Sequence, residues 1–282
     1  MMKTVISASR RSDLVAFFPD WLAAALRERR ARVLGPRRRV VDVDLDPRSV
    51  HTLVLWSKDF GNFLRNRAGL RDLLAAYDQL YFHFTVTGLG GTPLEPGAPS
   101  PAEGLAQLAP LVGAAGRPER VSLRFDPAVF WREGETVRSN LAFFRRAADA
   151  AARCGVRDIR TSFAQWYPKA RKRAAARGFD LVDPPDEEKR ERAAALAAEA
   201  GRRGLSLWAC AQPPLASVPG LSASACIDGA LLQRLHPAGE PASHRKDPSQ
   251  RPGCLCTESR DIGSYTQTCP HGCVYCYANP TT

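Results

Sequence analysis

The chain is 282 residues long, 44% of them hydrophobic, and it carries a formal net charge of +11. Its length suits one α/β domain of barrel size. No apolar run approaches membrane-spanning length. Lys3 and Arg10 interrupt the apolar residues near the start, so no signal peptide is expected. The positive charge is mostly arginine spread over predicted helices, which favours a solvated surface over a nucleic-acid interface.

Six strand-like segments alternate with helix-like segments along the chain. The strands are expected at residues 3–9, 52–56, 80–86, 120–125, 157–163 and 205–211. The helices are expected at residues 21–31, 69–77, 137–154, 169–177, 185–203 and 230–235. This alternation predicts parallel strands joined by right-handed crossovers, hence an α/β fold with a TIM-like (β/α) barrel or a partial barrel.

The regular alternation stops after Gly220. Residues 236–253 form a connector rich in proline, serine and charge. We therefore expect a barrel domain at residues 1–235 and a cysteine-rich iron–sulfur tail at residues 236–282 that folds over the barrel mouth. Residues 215–235 add one more strand or none, so the pattern does not choose between six and eight barrel strands.

Three cysteines near the end of the sequence, the triad Cys269, Cys273 and Cys276, are spaced C-x3-C-x2-C, and Tyr275 precedes the third. Thiolates are the preferred ligands of iron–sulfur clusters, and three in one tight loop would hold a [4Fe–4S] cluster with one iron open. The alternative is a zinc knuckle, which uses four tetrahedral ligands. The spacing resembles the cluster loop of the radical S-adenosylmethionine (SAM) enzymes.

That resemblance implies that SAM binds the open iron through its amino and carboxylate groups, and that its reductive cleavage gives a deoxyadenosyl radical. It also implies that Tyr275 packs near the adenine of SAM. In those enzymes the loop normally follows the first barrel strand, whereas here it lies at the C-terminal end of the sequence. Residues 90–93, Gly-Gly-Thr-Pro, weakly resemble their Gly-Gly-Glu-Pro stretch, with Thr92 in place of the glutamate.

Five of the eight cysteines crowd between Cys254 and Cys276, which favours metal binding in a reducing cytoplasm over secreted disulfides. Outside the triad, Cys154 ends a predicted helix and is expected to be a structural thiol. The remaining four thiols form the quartet Cys210, Cys226, Cys254 and Cys256. Four converging thiolates would ligate a second [4Fe–4S] cluster or a structural zinc; the third possibility is that they are unrelated.

Polar side chains follow the ends of the predicted strands, where (β/α) barrels place their chemistry. The candidate catalytic residues are Arg10, Asp13, Lys58, Arg124 and Asp126. The candidate cofactor-binding residues are Tyr275, His83, Thr85 and Ser162. Arginines at these positions could clamp the SAM carboxylate or a substrate anion; the alternatives are a structural Arg124–Asp126 pair and a core histidine at position 83.

Motifs along the whole chain together resemble those of the bacterial DUF1848 family. They are residues 6–13 (ISASRRSD), 56–59 (WSKD), 124–127 (RFDP), 226–229 (CIDG), 261–263 (DIG) and 269–279 (CPHGCVYCYAN). The family has no assigned function. The resemblance implies a barrel with a terminal cysteine motif and counterparts of the quartet cysteines, which favours a second metal site.

The leading hypothesis is a cytoplasmic iron–sulfur enzyme of radical SAM type that acts on a small molecule with an external electron donor of flavodoxin or ferredoxin type. One alternative is a radical SAM enzyme that repairs or modifies nucleic acid, with residues 27–39 as the basic patch and Arg37, Arg38 and Arg39 as test positions. The other is a non-catalytic barrel stapled by zinc. No membrane association is expected.

Overall fold

The computed structural model describes residues 2–35, 39–215, 217–278 and 280. Arg37 and Arg38 of the predicted basic patch lie outside these residues. The described strands are β1 (Thr4–Ala8), β2 (Arg30–Leu34), β3 (Val40–Asp44), β4 (Val50–Ser57), β5 (Leu80–Thr85), β6 (Val121–Ala128), β7 (Phe130–Glu133), β8 (Thr136–Ser139), β9 (Asp158–Phe163), β10 (Asp180–Val182), β11 (Ser206–Cys210), β12 (Leu221–Ser224) and β13 (Arg260–Asp261). The described α-helices are α1 (Leu14–Phe17), α2 (Pro19–Arg27), α3 (Gly61–Leu64), α4 (Leu70–Leu74), α5 (Pro101–Ala106), α6 (Leu108–Ala115), α7 (Phe144–Arg153), α8 (Pro168–Ala176), α9 (Asp186–Gly201) and α10 (Gly229–Leu235).

Eight strands form one sheet in the order β12-β11-β9-β6-β5-β4-β1-β13, and every pairing in it is parallel. The predicted mixed α/β architecture is therefore confirmed, and the six predicted strands correspond to β1, β4, β5, β6, β9 and β11. Residues 215–235, for which the sequence left the number of strands open, contain β12, and the tail contains β13. Within the described residues no pairing joins β12 to β13, so the sheet is not hydrogen-bonded into a closed ring.

The strands are buried on both faces because both faces are covered, as is usual for parallel sheets, and the inner face also holds buried polar side chains such as His83, Arg124 and Arg160. In β4, Leu53 and Leu55 pack with the helices in the main hydrophobic core. Between them, Val54 points to the opposite face, where it joins a second buried cluster with Tyr81 of β5 and Cys226. Alternation along a strand thus separates a helix-covered outer face from an inner face that contains cysteine.

The sheet is strongly curved about that inner face. Strands β5 and β12 are four positions apart in the sheet, a distance of about 19 Å if the sheet were flat. Instead, the Nε2 atom of His83 in β5 lies 2.7 Å from the carbonyl oxygen of Cys226, two residues beyond β12. Arg160 of β9 likewise reaches Tyr81 Oη at 3.2 Å and Ser224 Oγ of β12 at 3.0 Å.

Two sequence predictions of helices were wrong at their ends. The helix expected at residues 137–154 begins only at Phe144, because β7 and β8 form a hairpin around Gly134, whose φ of +60° favours glycine. The helix expected at residues 21–31 ends at Arg27, since residues 30–34 alternate exposed and buried positions and pair with β3. Strand β10 adds a third, antiparallel strand to β7.

The tail extends the main sheet. β13 pairs with β1 in parallel, with Ile6 opposite Arg260 and Ser7 opposite Asp261. The Asp261 carboxylate accepts hydrogen bonds from Ser7 Oγ and from the Arg10 backbone N–H, both at 2.9 Å. These contacts place the tail at the carboxyl end of β1. No helix among the described residues is long and apolar enough to cross a membrane.

Candidate functional site

A cavity of about 470 Å³ lies at the carboxyl ends of the parallel strands. Its walls come from the residues that follow β1, β4 and β9, from the ends of β5, β6 and β11, and from the tail. Seven of the eight cysteines line it, namely Cys210, Cys226, Cys254, Cys256, Cys269, Cys273 and Cys276. The fold therefore brings the predicted triad and quartet to the same cavity.

Eight of the nine predicted polar site residues also line this cavity, namely Arg10, Asp13, Lys58, Thr85, Arg124, Asp126, Ser162 and Tyr275. His83 does not line it. The imidazole of His83 stacks on Trp56 with ring centroids 4.1 Å apart, and burial, followed by Arg160 and Arg124, lowers its pKa well below the usual value. His83 is therefore a neutral histidine beneath the cavity floor.

The triad loop is docked against the loop that follows β5. The Val274 backbone N–H donates to the Leu94 carbonyl at 3.0 Å, and the Gly97 N–H donates to the His271 carbonyl at 3.1 Å. A Cβ atom at position 97 would lie 2.2 Å from the Pro270 carbonyl oxygen, so this close approach requires glycine. The backbone of the cysteine loop is thus fixed on one side.

Two arginines fix the other side of the triad loop. Arg173 of α8 donates to the Val274 carbonyl at 3.3 Å and also to the Cys276 carbonyl. Arg177, just after α8, donates to the Gly272 carbonyl at 2.9 Å. Because these carbonyls belong to the loop itself, the arginines satisfy backbone acceptors that a tight turn leaves unpaired.

Asp13 connects the triad loop to β1 and β4. Its Oδ1 atom accepts from the Ala16 N–H at 2.9 Å and caps α1. Its Oδ2 atom accepts from Ser57 Oγ at 2.8 Å and from the Lys58 N–H at 2.9 Å, and lies 2.8 Å from His271 Nε2. Both carboxylate oxygens are occupied, so Asp13 positions the cavity wall rather than offering a free base.

Lys58 and Glu95 form a buried ion pair with an Nζ to Oε2 distance of 3.0 Å and side chains that are 14% and 2% exposed. Tyr275 of the triad loop donates to Glu95 and accepts from Lys58 at 3.1 Å. Thr87 also donates to Glu95. The sequence analysis missed Glu95 because it compared position 92 with the SAM-binding glutamate, whereas the buried carboxylate lies three residues later.

Burial disfavours the thiolate form of all three triad cysteines in the absence of a metal. Burial raises the pKa of Cys269 to about 11, with the Asp13 charge adding to the effect. Burial also raises the pKa values of Cys273 and Cys276. Because thiolates are the metal ligands, loading this site must release protons to solvent.

The quartet thiols form a hydrogen-bonded chain. Cys210 Sγ and Cys226 Sγ lie 3.2 Å apart, and Cys256 is hydrogen-bonded to both Cys226 and Cys254. The bond from Cys210 lowers the pKa of Cys226 well below its usual value, and the bond from Cys256 lowers the pKa of Cys254 to about 6. Arg124 donates to Cys226 Sγ at 3.0 Å.

Cationic groups give the cavity a positive wall. Arg10 and Arg124 lie over the Trp56 ring, with guanidinium carbons 5.6 and 5.1 Å from its centroid. Arg124 is paired with Asp126, but within the described residues no carboxylate lies within 4.0 Å of the guanidinium of Arg10 or of Arg251. Arg10 donates to Ser259 Oγ at 3.4 Å and Arg251 donates to Gln165 and Tyr167, so the charge of both guanidinium groups is met by neutral acceptors.

Several cavity residues were not among the sequence candidates: Trp56, Gln165, Tyr167, Gln250, Arg251, His271 and Tyr277. Arg251 donates to the Tyr167 hydroxyl at 3.0 Å, which joins the tail to the segment after β9. His271 lies inside the cysteine motif, so its position next to two ligating positions was an available signal. The contacts of Arg251 depend on distant segments and leave no local signal in the sequence.

No group of three or more His, Cys, Asp or Glu side chains in the described part of the chain has metal-holding geometry as it stands. The donor chemistry nevertheless fits an iron–sulfur cluster or zinc, since the thiols converge from separate segments onto one cavity. Fold and site together define an α/β protein with a cysteine-lined cavity at the carboxyl ends of a parallel sheet.

A family model described as "Domain of unknown function (DUF1848)" matches residues 5–278. The chain therefore belongs to the DUF1848 family, as its motifs indicated. No curated protein matches the chain.

Proposed function

We propose that the protein is an iron–sulfur enzyme of radical SAM type in which Cys269, Cys273 and Cys276 hold a [4Fe–4S] cluster and SAM completes its coordination. One observation carries the proposal: all three thiols line a cavity that also contains seven predicted polar side chains from the strand ends, together with Tyr275 of the triad loop. A cluster with three protein ligands would thus face a sheltered space where a ligand can bind next to it.

The triad loop has the properties that such a cluster requires. Its backbone is fixed from two sides, and in the part of the chain described no hydrogen bond joins two triad thiols. The Ala278 backbone N–H points to Cys276 Sγ at 3.3 Å, and hydrogen bonds to sulfur tune cluster potentials. When bound, the cluster and SAM would supply one-electron radical chemistry, with electrons from a flavodoxin- or ferredoxin-type donor.

The residues around the loop would bind and orient the ligands. Arg10 and Arg251 have no carboxylate partner among the described residues and meet neutral acceptors, so each could bind the SAM carboxylate or an anionic substrate in exchange for those contacts. Tyr275 is held by Lys58 and Glu95, which fixes its ring at the cavity wall beside the cluster ligands. The cavity volume of about 470 Å³ suits a small molecule.

We also propose that the curved sheet is a partial (β/α) barrel closed at its mouth by the tail, residues 236–282. The support is the contact of β5 with the segment after β12, together with the presence of tail residues Cys254, Cys256 and the triad in the cavity wall. Closure of this kind would exclude water from a reactive radical.

The test is anaerobic reconstitution with iron and sulfide, followed by metal analysis and electron paramagnetic resonance with and without SAM. We expect about four irons per chain attributable to the triad, a signal that SAM perturbs, and release of 5′-deoxyadenosine. The variant Cys269→Ala/Cys273→Ala/Cys276→Ala should lose these irons and both SAM effects.

The matched control is Cys154→Ala, which removes a thiol outside the cavity and should change nothing. An iron content that is the same in the triad variant and the wild type, or a wild-type signal that SAM does not perturb together with no release of 5′-deoxyadenosine, would refute the proposal. Colourless wild-type protein that contains only zinc would instead support the zinc-stapled binding protein.

A further inference from the structure

The quartet and the triad differ in the hydrogen bonds between their thiols. In the quartet, Cys210 Sγ lies 3.2 Å from Cys226 Sγ, and Cys256 is hydrogen-bonded to Cys226 and Cys254. Every quartet sulfur therefore contacts another. Among the described residues, the triad sulfurs share no such bond. The hydrogen-bonded quartet therefore leaves little space between its sulfurs for a metal.

The size of a metal centre sets the spacing of its sulfur ligands. Four thiolates around one Zn²⁺ at about 2.3 Å form a tetrahedron with edges of about 3.8 Å. A cubane cluster places each cysteine on a different iron, so its sulfurs lie much farther apart. The 3.2 Å contact in the quartet is about 0.6 Å short of the zinc tetrahedron edge. Small side-chain rotations would open the quartet to zinc, whereas a cluster would need the segments to separate.

The charge around the quartet also suits a metal held by four thiolates. Such a zinc site carries a net charge of about −2, which is costly to bury without compensation. Arg124 donates to Cys226 Sγ at 3.0 Å, and Arg10 interacts electrostatically with Cys256 and Cys226. The Ile227 backbone N–H adds a hydrogen bond to Cys256 Sγ at 3.3 Å.

We propose that Cys210, Cys226, Cys254 and Cys256 bind a single structural Zn²⁺, separate from the triad. The site joins three segments: the end of β11, the turn after β12 and the tail. Because four protein thiolates complete the coordination of zinc, no position is left for substrate, and the ion fixes the tail against the cavity. The proposal is independent of the radical SAM function, which concerns the triad alone.

The test uses the triad variant Cys269→Ser/Cys273→Ser/Cys276→Ser, whose quartet is intact, because substitution of buried quartet cysteines also lowers stability. Purified under reducing, metal-free buffers and then given ZnCl₂ alone, this variant should bind one zinc per chain. Given CoCl₂ instead, it should show the intense visible absorption of cobalt in a tetrahedral four-thiolate site. Adding Cys226→Ser to the triad variant should abolish that absorption, whereas adding Cys154→Ser should leave it unchanged.

Retention of about four irons by the triad variant after reconstitution would overturn the proposal in favour of a second cluster. Failure to bind zinc or cobalt would overturn it in favour of unrelated thiols. The two proposals can be told apart. If the wild-type protein does not react with SAM while the triad variant still binds zinc, the radical SAM function alone is refuted.

Discussion

Replacement of Asp13 by alanine tests whether the triad loop is held against the sheet as the structure indicates. The substitution removes the cap on the Ala16 N–H, worth about 1 kcal/mol. It also removes the acceptor of the buried Lys58 N–H and the partner of His271 Nε2, at about 1–2 kcal/mol each. Ser57 keeps an acceptor in the Asp59 carbonyl at 2.8 Å. The expected destabilisation is therefore about 3–5 kcal/mol.

The assay is urea unfolding followed by circular dichroism under anaerobic, reducing conditions. Asp20→Ala is the matched control, because the Asp20 carboxylate is 71% exposed and its ion pair with Arg67 spans 3.5 Å; we expect a change below about 1 kcal/mol. If Asp13→Ala lowers the free energy of unfolding by less than about 1 kcal/mol, the contacts of Asp13 do not hold the triad loop. The His271→Ala variant should couple with it by more than about 0.5 kcal/mol in a double-mutant cycle.

Three further predictions concern the Lys58–Glu95 ion pair, the contacts of Arg173 with the triad loop and the buried phenol of Tyr77. Glu95→Gln leaves the buried Lys58 ammonium without its carboxylate and should lower the free energy of unfolding by about 3–5 kcal/mol in urea. Arg173→Ala frees two loop carbonyls, so Cys276 should react faster with a thiol reagent in metal-free protein. Burial raises the pKa of Tyr77 to about 12; the native state favours the neutral phenol, so stability should fall as pH rises from about 10 towards 12. Tyr77→Phe should lack that fall.

Controls and contrary outcomes make these three predictions specific. Glu119→Gln removes an exposed carboxylate paired with Arg117 and should change stability by less than about 1 kcal/mol; equal effects at both positions would contradict the buried-pair argument. Arg171→Ala removes an exposed α8 arginine and should leave thiol reactivity unchanged. Identical alkaline unfolding of the wild type and the phenylalanine variant would contradict the titration argument.

The sequence predicted the parallel sheet because its strands carry apolar residues at alternate positions and alternate with helix-like segments along the chain. The hairpin at residues 130–139 was missed for the opposite reason. Its second strand, β8, is largely exposed and carries no apolar period, and its position depends on the turn at Gly134 and on pairing with β7. Such strands are fixed by tertiary contacts rather than by their own pattern.

The cavity could be predicted only in part. Residues that directly follow strands, such as Lys58 and Arg124, were found because parallel strands end on the same side of a sheet. Arg173 and Arg177 were not found, since their role depends on which loop α8 faces. Glu95 was missed although it is the only acidic residue between Gly88 and Ala98. A lone carboxylate in an apolar, glycine-rich loop is therefore a useful signal for a buried ion pair.

The cysteine motif lies at the C-terminal end of the sequence, but in the fold it lies near the end of β1. The radical SAM resemblance places the cluster loop after the first strand of the barrel. In this protein β13 returns the tail to β1, and His271 of the cysteine loop lies 2.8 Å from Asp13, five residues beyond the end of β1. The triad thus lies at the exit of the first strand, with side chains from β4 and β5 beside it. Because a cluster is held by the positions of its ligands and not by their order along the chain, the proposed cluster does not require the cysteine motif to follow β1 in the sequence.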